Sequence, residues 1–152
     1  MAFKRLLGPS MATTPYLNER SCTILVVDDE ALIRDTLHIV LKRMGHVVLE
    51  ADDGAEGLIV SRNFKGRIDL VIADVRMPKL DGPTMVRLLQ AKRPTMKVLL
   101  ISGDPAESVP NDWKKNFLPK PFLPAVIEQK VQEMLASMKH LGIPTKANSL
   151  LG

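Results

Sequence analysis

Residues 68–82 read IDLVIADVRMPKLDG, and this stretch decides the fold. Its first six residues are almost wholly apolar, which is typical of a β-strand that is buried on both faces. The run ends at Asp74, and Pro78, Asp81 and Gly82 then mark a loop and the start of a helix. The stretch therefore predicts a buried strand, a loop and a helix, with the Asp74 carboxylate where the strand meets the loop.

The same alternation of strand and helix continues on both sides of this stretch. Apolar runs predict strands over 23–27, 46–50, 68–73, 97–101 and 116–118. Helical spacing of apolar residues predicts helices over 31–44, 53–64, 84–92 and 123–138, and a short or irregular fourth helix within 104–115. This order predicts an α/β fold, a single doubly wound five-stranded parallel sheet with helices on both faces.

The chain of 152 residues is long enough for one domain and short tails. Residues 1–21 contain glycine, proline and hydroxyl residues without periodicity, which predicts a flexible N-terminal arm. The periodic part, residues 22–138, is the predicted domain. Residues 139–152 contain Gly142 and Pro144 and are predicted to form a C-terminal tail.

Charge and cysteine content exclude several classes of protein. The formal net charge is +4, but the basic residues are scattered, which favours a solvated surface over a nucleic-acid site. The single cysteine, Cys22, excludes an intramolecular disulfide and fits a reducing, cytoplasmic setting. No stretch approaches the roughly 20 apolar residues of a membrane helix, so we expect no membrane insertion.

Residues that can carry chemistry follow four of the predicted strands. They are Asp28 and Asp29 after the first strand, Asp74 after the third, Ser102 after the fourth and Lys120 after the fifth. Sites in sheets of this kind form beyond the carboxyl ends of the strands. If the first and third strands are neighbours, three carboxylates converge in one pocket.

Such a cluster of carboxylates is unstable alone, because like charges a few ångströms apart repel. A divalent cation relieves the repulsion, and oxygen ligands without histidine or cysteine suit Mg²⁺, with Mn²⁺ as the other candidate. Asp74 can then attack phosphorus to form an acyl phosphate. The Lys120 ammonium and the Ser102 hydroxyl are candidates to neutralise the transferred phosphoryl oxygens.

Each of these residues also has a purely structural interpretation. The acidic run 28–30 favours the N-terminus of the following helix, and Asp74 can cap a turn. Ser102 and Lys120 can be ordinary loop residues. The functional interpretation depends on all of them occurring together at strand ends.

The chain resembles the receiver domain of two-component response regulators over about residues 22–138. The matching segments are ILVVDDE at 24–30, DGAEGL at 53–58, DVRMPKLDG at 74–82, LISG at 100–103 and FLPKPF at 117–122. The resemblance implies a flavodoxin-like sheet with the strand order 2-1-3-4-5.

The resemblance also implies roles for individual residues in phosphorylation. Asp74 is the implied phospho-acceptor, and the implied donor is a sensor histidine kinase or a histidine phosphotransfer protein. Asp29 is expected to bind Mg²⁺ directly and Asp28 largely through water. Asp74 itself and the backbone carbonyl of Arg76 are the other implied metal ligands.

A second group of implied roles concerns switching. Ser102 is expected to move toward the phosphoryl group, and Phe117 to rotate inward with it. The Lys120–Pro121 bond is expected to be cis. The surface around the fourth helix, the fifth strand and the last helix is expected to change, and a partner protein that the sequence does not identify reads the change.

The sequence departs from the family pattern between Ser102 and Lys120, a segment shorter than in most members. This form is more similar to receivers of hybrid histidine kinases or of stand-alone relays. Arg76 and Asp104 occupy variable positions that tune the phosphoryl lifetime in this family.

The leading functional hypothesis is a stand-alone, phosphorylation-controlled binding module without an output domain. Its own phosphoryl chemistry is expected to be weak and self-catalysed, so it is not a turnover enzyme; it acts as an adaptor, a relay intermediate or a phosphate sink. A phosphohydrolase of the haloacid-dehalogenase type requires a second aspartate two residues after the nucleophile, where this chain has Arg76. A phosphorylation-independent interaction domain is the third hypothesis, and the intact acidic, hydroxyl and lysine set argues against it.

Overall fold

The structure, a computed structural model, describes residues 20–106 and 109–140. Most of the predicted arm and tail lies outside the described residues, so their flexibility stays a prediction. No helix in the described part of the chain is long and apolar enough to cross a membrane.

The described residues form one five-stranded parallel sheet in the order β2-β1-β3-β4-β5. The strands are β1 Thr23–Val27, β2 Val47–Ala51, β3 Leu70–Asp74, β4 Lys97–Ser102 and β5 Phe117–Pro119. The helices are α1 Ala31–Arg43, α2 Gly54–Asn63, α3 Gly82–Lys92 and α4 Pro124–His140, with a 3₁₀ helix at Asn111–Asn116. The predicted fold class and strand order are confirmed, with strand ends displaced by up to two residues.

Two apolar cores lie on opposite faces of this sheet, because successive strand residues point to opposite sides. On one face, alternate residues such as Ile24, Val26 and Ile72 pack with residues of α1 and α4. On the other face, Leu25 and Val71 pack with residues of α2, α3 and the 3₁₀ helix. Helices therefore cover both faces, as the sequence predicted.

The segment between β4 and β5 contains the short 3₁₀ helix in place of a full fourth helix. Trp113 anchors it: the indole is 7% exposed and belongs to the second core. The Arg87 guanidinium of α3 lies 4.5 Å from the centre of the Trp113 ring. One buried aromatic and a cation–π contact hold this segment, and the prediction of a short or irregular helix is confirmed.

The loop after β3 is held close to the sheet by glycine. A Cβ atom on Gly82 would lie 2.1 Å from the backbone oxygen of Asp74, so only glycine allows α3 to begin there. The Asp81 carboxylate caps α3 by accepting a hydrogen bond of 2.7 Å from the Thr84 N–H. The carboxyl end of β3 and the start of α3 are therefore fixed relative to one another.

Candidate functional site

Three of the predicted site residues meet at the carboxyl edge of the sheet. The Lys120 ammonium lies 2.8 Å from Asp28 Oδ2 and 3.3 Å from Asp74 Oδ2. Asp28 is fully buried, and Asp74 is 6% exposed. Two carboxylates from neighbouring strands, β1 and β3, therefore share one lysine that follows β5.

Hydrogen bonds hold Asp28 and Lys120 in place. Asp28 Oδ1 accepts a hydrogen bond of 2.8 Å from the Glu30 N–H, and the Asp28 carbonyl accepts one of 2.7 Å from Arg34. The Lys120 N–H donates to the Ser102 carbonyl at 2.7 Å. The Lys120–Pro121 peptide bond is cis, which confirms that prediction.

The proximity of the two aspartates changes their acidity. Burial and the nearby Asp28 charge raise the pKa of Asp74 to about 6, although Lys120 opposes the shift. Burial also raises the pKa of Asp28 above its ordinary value, against the opposing effect of Lys120. Burial alone would lower the pKa of Lys120, but its hydrogen bonds with Asp28 and Glu30 raise it. Lys120 is therefore a fixed positive charge between carboxylates whose repulsion it only partly relieves.

A third carboxylate, which the sequence analysis missed, belongs to this cluster. Glu30 Oε1 lies 2.9 Å from Lys120 Nζ. One oxygen each from Asp28, Glu30 and Asp74 lies within 4.8 Å of the others. The available signal was the run of three acidic residues at 28–30, which we read as helix-start residues apart from the two aspartates.

Asp29, the predicted direct metal ligand, lies outside the acidic cluster. Its side chain is exposed, and the acidic cluster contains Glu30 in its place. Asp28 is fully buried, whereas Asp29 and Glu30 are both exposed, and of these two Glu30 contacts Lys120. The direct metal contact assigned to Asp29 stays a prediction.

The predicted switch residues lie on β4 and β5. Ser102 is 2% exposed at the end of β4, and its Oγ accepts a hydrogen bond of 3.0 Å from the Asp104 N–H. Phe117 is half-buried and packs against the second core. Their movement on phosphorylation stays a prediction.

Arg76 and Asp104 form an ion pair beside the site. Arg76 Nε lies 2.6 Å from Asp104 Oδ2, which joins the loops that follow β3 and β4. The Arg76 N–H also donates a hydrogen bond to the Asp74 carboxylate, which lowers the pKa of Asp74 and partly offsets burial. The predicted role of the Arg76 carbonyl as a metal ligand stays a prediction.

The residues of this pocket fit a hard divalent cation. Three carboxylates face one ammonium, so the cluster carries excess negative charge when all are ionised. Its ligand atoms are oxygens, which Mg²⁺ and Mn²⁺ prefer. Burial raises the pKa of both aspartates, and for Asp74 the Asp28 charge adds to the shift, although Lys120 opposes it in both.

Comparisons with known proteins agree with the fold. The family profile of the response regulator receiver domain matches residues 24–132. The chain is 39% identical, over 119 residues, to the sensor kinase CckA of Brucella abortus, a match that covers 76% of this chain and 13% of CckA. The chain belongs to the response regulator receiver domain family of two-component systems.

Solved structures show the same relationship. The receiver domain of the hybrid histidine kinase CckA is 36% identical with a TM-score of 0.63, and the match covers 74% of this chain and 98% of that domain. CheY in the CheX–CheY–BeF₃–Mg²⁺ complex from Borrelia burgdorferi is 29% identical with a TM-score of 0.68. The match covers 75% of this chain and 89% of the CheY chain. The chain spans between 13% and 55% of the first few curated relatives it matches.

Proposed function

We propose that this protein is a phosphorylation-controlled signalling receiver, in which Asp74 accepts a phosphoryl group from a sensor histidine kinase or a histidine phosphotransfer protein. The observation that carries the proposal is the convergence of buried Asp28 and Asp74 on Lys120 at the carboxyl edge of the sheet. Membership of the receiver family supports the class of donor.

The proposed reaction is a transfer between two side chains. An ionised Asp74 oxygen attacks phosphorus, an O–P bond forms, and the N–P bond to the donor histidine breaks. The released imidazole nitrogen recovers a proton from solvent. Lys120, 3.3 Å from Asp74, neutralises charge on the transferred group, and Ser102 is positioned at the neighbouring strand end to donate a hydrogen bond.

Mg²⁺ is the proposed cofactor, with Mn²⁺ as its substitute. Asp28, Asp74 and the Arg76 carbonyl would hold it, and it would neutralise charge on the phosphoryl oxygens. The family resemblance assigns the remaining direct contact to Asp29, whereas the acidic cluster of this structure contains Glu30. Mg²⁺ titrations of Asp29→Asn and Glu30→Gln decide between these two carboxylates.

The output we propose is a change of a protein-binding surface rather than turnover of a small molecule. A single cysteine and a histidine-kinase donor support a cytoplasmic setting. The short 3₁₀ segment in place of the fourth helix, and the similarity to the receiver of a hybrid kinase, favour a relay intermediate or phosphate sink as the second candidate.

The test is transfer of radiolabelled phosphate from a panel of phosphorylated kinases and phosphotransfer proteins to the wild type and to Asp74→Asn. We expect label on the wild type only, dependent on Mg²⁺, and slow labelling by acetyl phosphate. Onward transfer of the label to a second histidine protein would select the relay. Equal labelling of Asp74→Asn, or no labelling by any donor, would overturn the proposal.

A further inference from the structure

The Lys120 ammonium has more partners than the phosphorylation chemistry explains. Its Nζ lies 2.8 Å from Asp28, 2.9 Å from Glu30 and 3.3 Å from Asp74. An ammonium has three N–H donors and no acceptor. Lys120 donates hydrogen bonds to Glu30 and Asp74 and forms an ion pair with Asp28. Three carboxylates therefore surround the ammonium before any phosphoryl group arrives, and a phosphoryl oxygen has to compete with them.

The three carboxylates differ in how easily they can be released. Asp28 is fully buried, so removing Lys120, its cationic partner among the described residues, would leave an uncompensated charge inside the protein. Asp74 is itself the group to be phosphorylated. The Glu30 side chain is 59% exposed, so water can replace Lys120 at little cost.

The Glu30 side chain also does not perform the helix-capping role that its position suggests. It occupies the N-cap position of α1, yet its side chain makes no capping hydrogen bond. The backbone does that work: the Glu30 N–H donates to Asp28, and the Glu30 carbonyl accepts from the N–H groups of Ile33 and Arg34 at 3.1 Å. The side chain can therefore move while the start of α1 stays in place.

We propose that Glu30 is a positioning residue that occupies Lys120 while Asp74 is unphosphorylated and is displaced by the incoming phosphoryl group. This inference rests on the proposed function of Asp74. Glu30 competes with the phosphoryl oxygens for the same ammonium. Removing its charge should favour binding of a phosphoryl mimic, and should not favour binding of the cation.

The test uses the whole chain and two glutamate-to-glutamine variants. Glu50 is the matched control, because its carboxylate also makes one hydrogen-bonded contact of 2.9 Å, with the His38 ring, but on β2 and outside the cluster. The probe is beryllofluoride at saturating Mg²⁺, followed by fluorine NMR, and Mg²⁺ alone is titrated separately by amide NMR.

We expect Glu30→Gln to bind beryllofluoride roughly two- to fivefold more tightly than the wild type, as one exposed ion pair allows. We expect Mg²⁺ affinity to fall or stay unchanged in that variant. Glu50→Gln should leave both affinities unchanged, and Glu30→Asp, which keeps the charge, should lie between Glu30→Gln and the wild type.

Four outcomes would overturn the inference. Equal or weaker beryllofluoride binding by Glu30→Gln would show that Glu30 does not compete with the phosphoryl mimic for Lys120. Tighter binding by both glutamine variants indicates a general charge effect, and a parallel gain in Mg²⁺ affinity indicates the same. No beryllofluoride binding by the wild type overturns the proposed function together with this inference, whereas the first three outcomes leave the proposed function intact.

Discussion

Two buried aspartates at opposite ends of β3 show what distinguishes a structural carboxylate from a reactive one. Asp69 precedes the strand and is fully buried; Asp74 ends it and is 6% exposed. Asp69 Oδ2 accepts a hydrogen bond of 2.8 Å from the Thr23 N–H, and its other oxygen lies 2.9 Å from Arg67. Asp74 instead shares Lys120 with a second buried carboxylate.

Asp69 and Asp74 differ in how many cationic and hydrogen-bonding partners are available to each carboxylate. At the amino edge, one carboxylate has a backbone donor and a guanidinium of its own. At the carboxyl edge, two buried carboxylates share one ammonium, and the pKa of Asp74 rises to about 6 because of burial and the Asp28 charge. Burial alone does not distinguish the structural aspartate from the reactive one, but the partners of each carboxylate do.

The largest effect on stability is expected when Asp69, at the amino edge of the sheet, is replaced. Asp69→Ala should destabilise the protein by about 3–5 kcal/mol, because it leaves a buried backbone N–H and a guanidinium without their carboxylate. Urea unfolding of the metal-free protein measures this change. The control is Asp35→Ala on the exposed part of α1, which should stay within about 0.5 kcal/mol of the wild type. Similar values for both variants would contradict the structural role of Asp69.

A change of stability in the opposite direction is expected at the carboxyl edge of the sheet. Asp74→Asn should stabilise the metal-free protein at pH 7 by about 1–3 kcal/mol, because it removes a charge that burial and Asp28 disfavour. The measurement is urea unfolding in the presence of a chelator. Asp29→Asn is the control, since its exposed carboxylate is not part of the cluster, and its stability should be unchanged. A destabilised Asp74→Asn would show that the pocket is not strained.

The same reasoning predicts a pH dependence of stability. The folded-state pKa of Asp74, about 6, lies above its ordinary value of 3.8, so the folded protein holds this proton more tightly than the unfolded chain. The stability that Asp74 contributes is therefore lost as pH rises from about 4 through the folded-state pKa of about 6, and becomes constant about one unit above that pKa. Unfolding curves of the metal-free wild type and Asp74→Asn should diverge over this window. Parallel curves would contradict the raised pKa.

The smallest effect is expected beside the pocket. Arg76→Ala removes the 2.6 Å ion pair with Asp104, but the Arg76 side chain is 76% exposed. An exposed pair of this kind contributes under about 1 kcal/mol, so the unfolding midpoint should barely move. Asp104→Asn should behave in the same way. A larger loss in either variant would show that this pair holds the two loops together.

Much of this architecture follows from the sequence, because it depends on local patterns. The apolar runs around residues 23–27 and 68–73 determine which segments are strands, and parallel strands bring Asp28, Asp74 and Lys120 to the same edge. The short 3₁₀ segment follows from prolines and weak periodicity. These features need no knowledge of side-chain conformation.

The features that the sequence did not reveal depend on side-chain direction. At the end of β1, the Glu30 side chain reaches Lys120, and composition does not encode that contact. The Arg76–Asp104 pair joins two loops whose relative position only the folded chain fixes. Sequence reasoning found the site, but it did not find all of the carboxylates that form it.

The central claim is that the carboxylate ending β3 accepts the phosphoryl group. Borohydride converts an aspartyl phosphate to homoserine, so reduction of the protein after incubation with a phosphodonor and Mg²⁺, followed by peptide mass spectrometry, identifies the modified residue. We expect homoserine at position 74, and none when Mg²⁺ is chelated. Homoserine at another aspartate, or phosphate retained on serine or histidine, would contradict it.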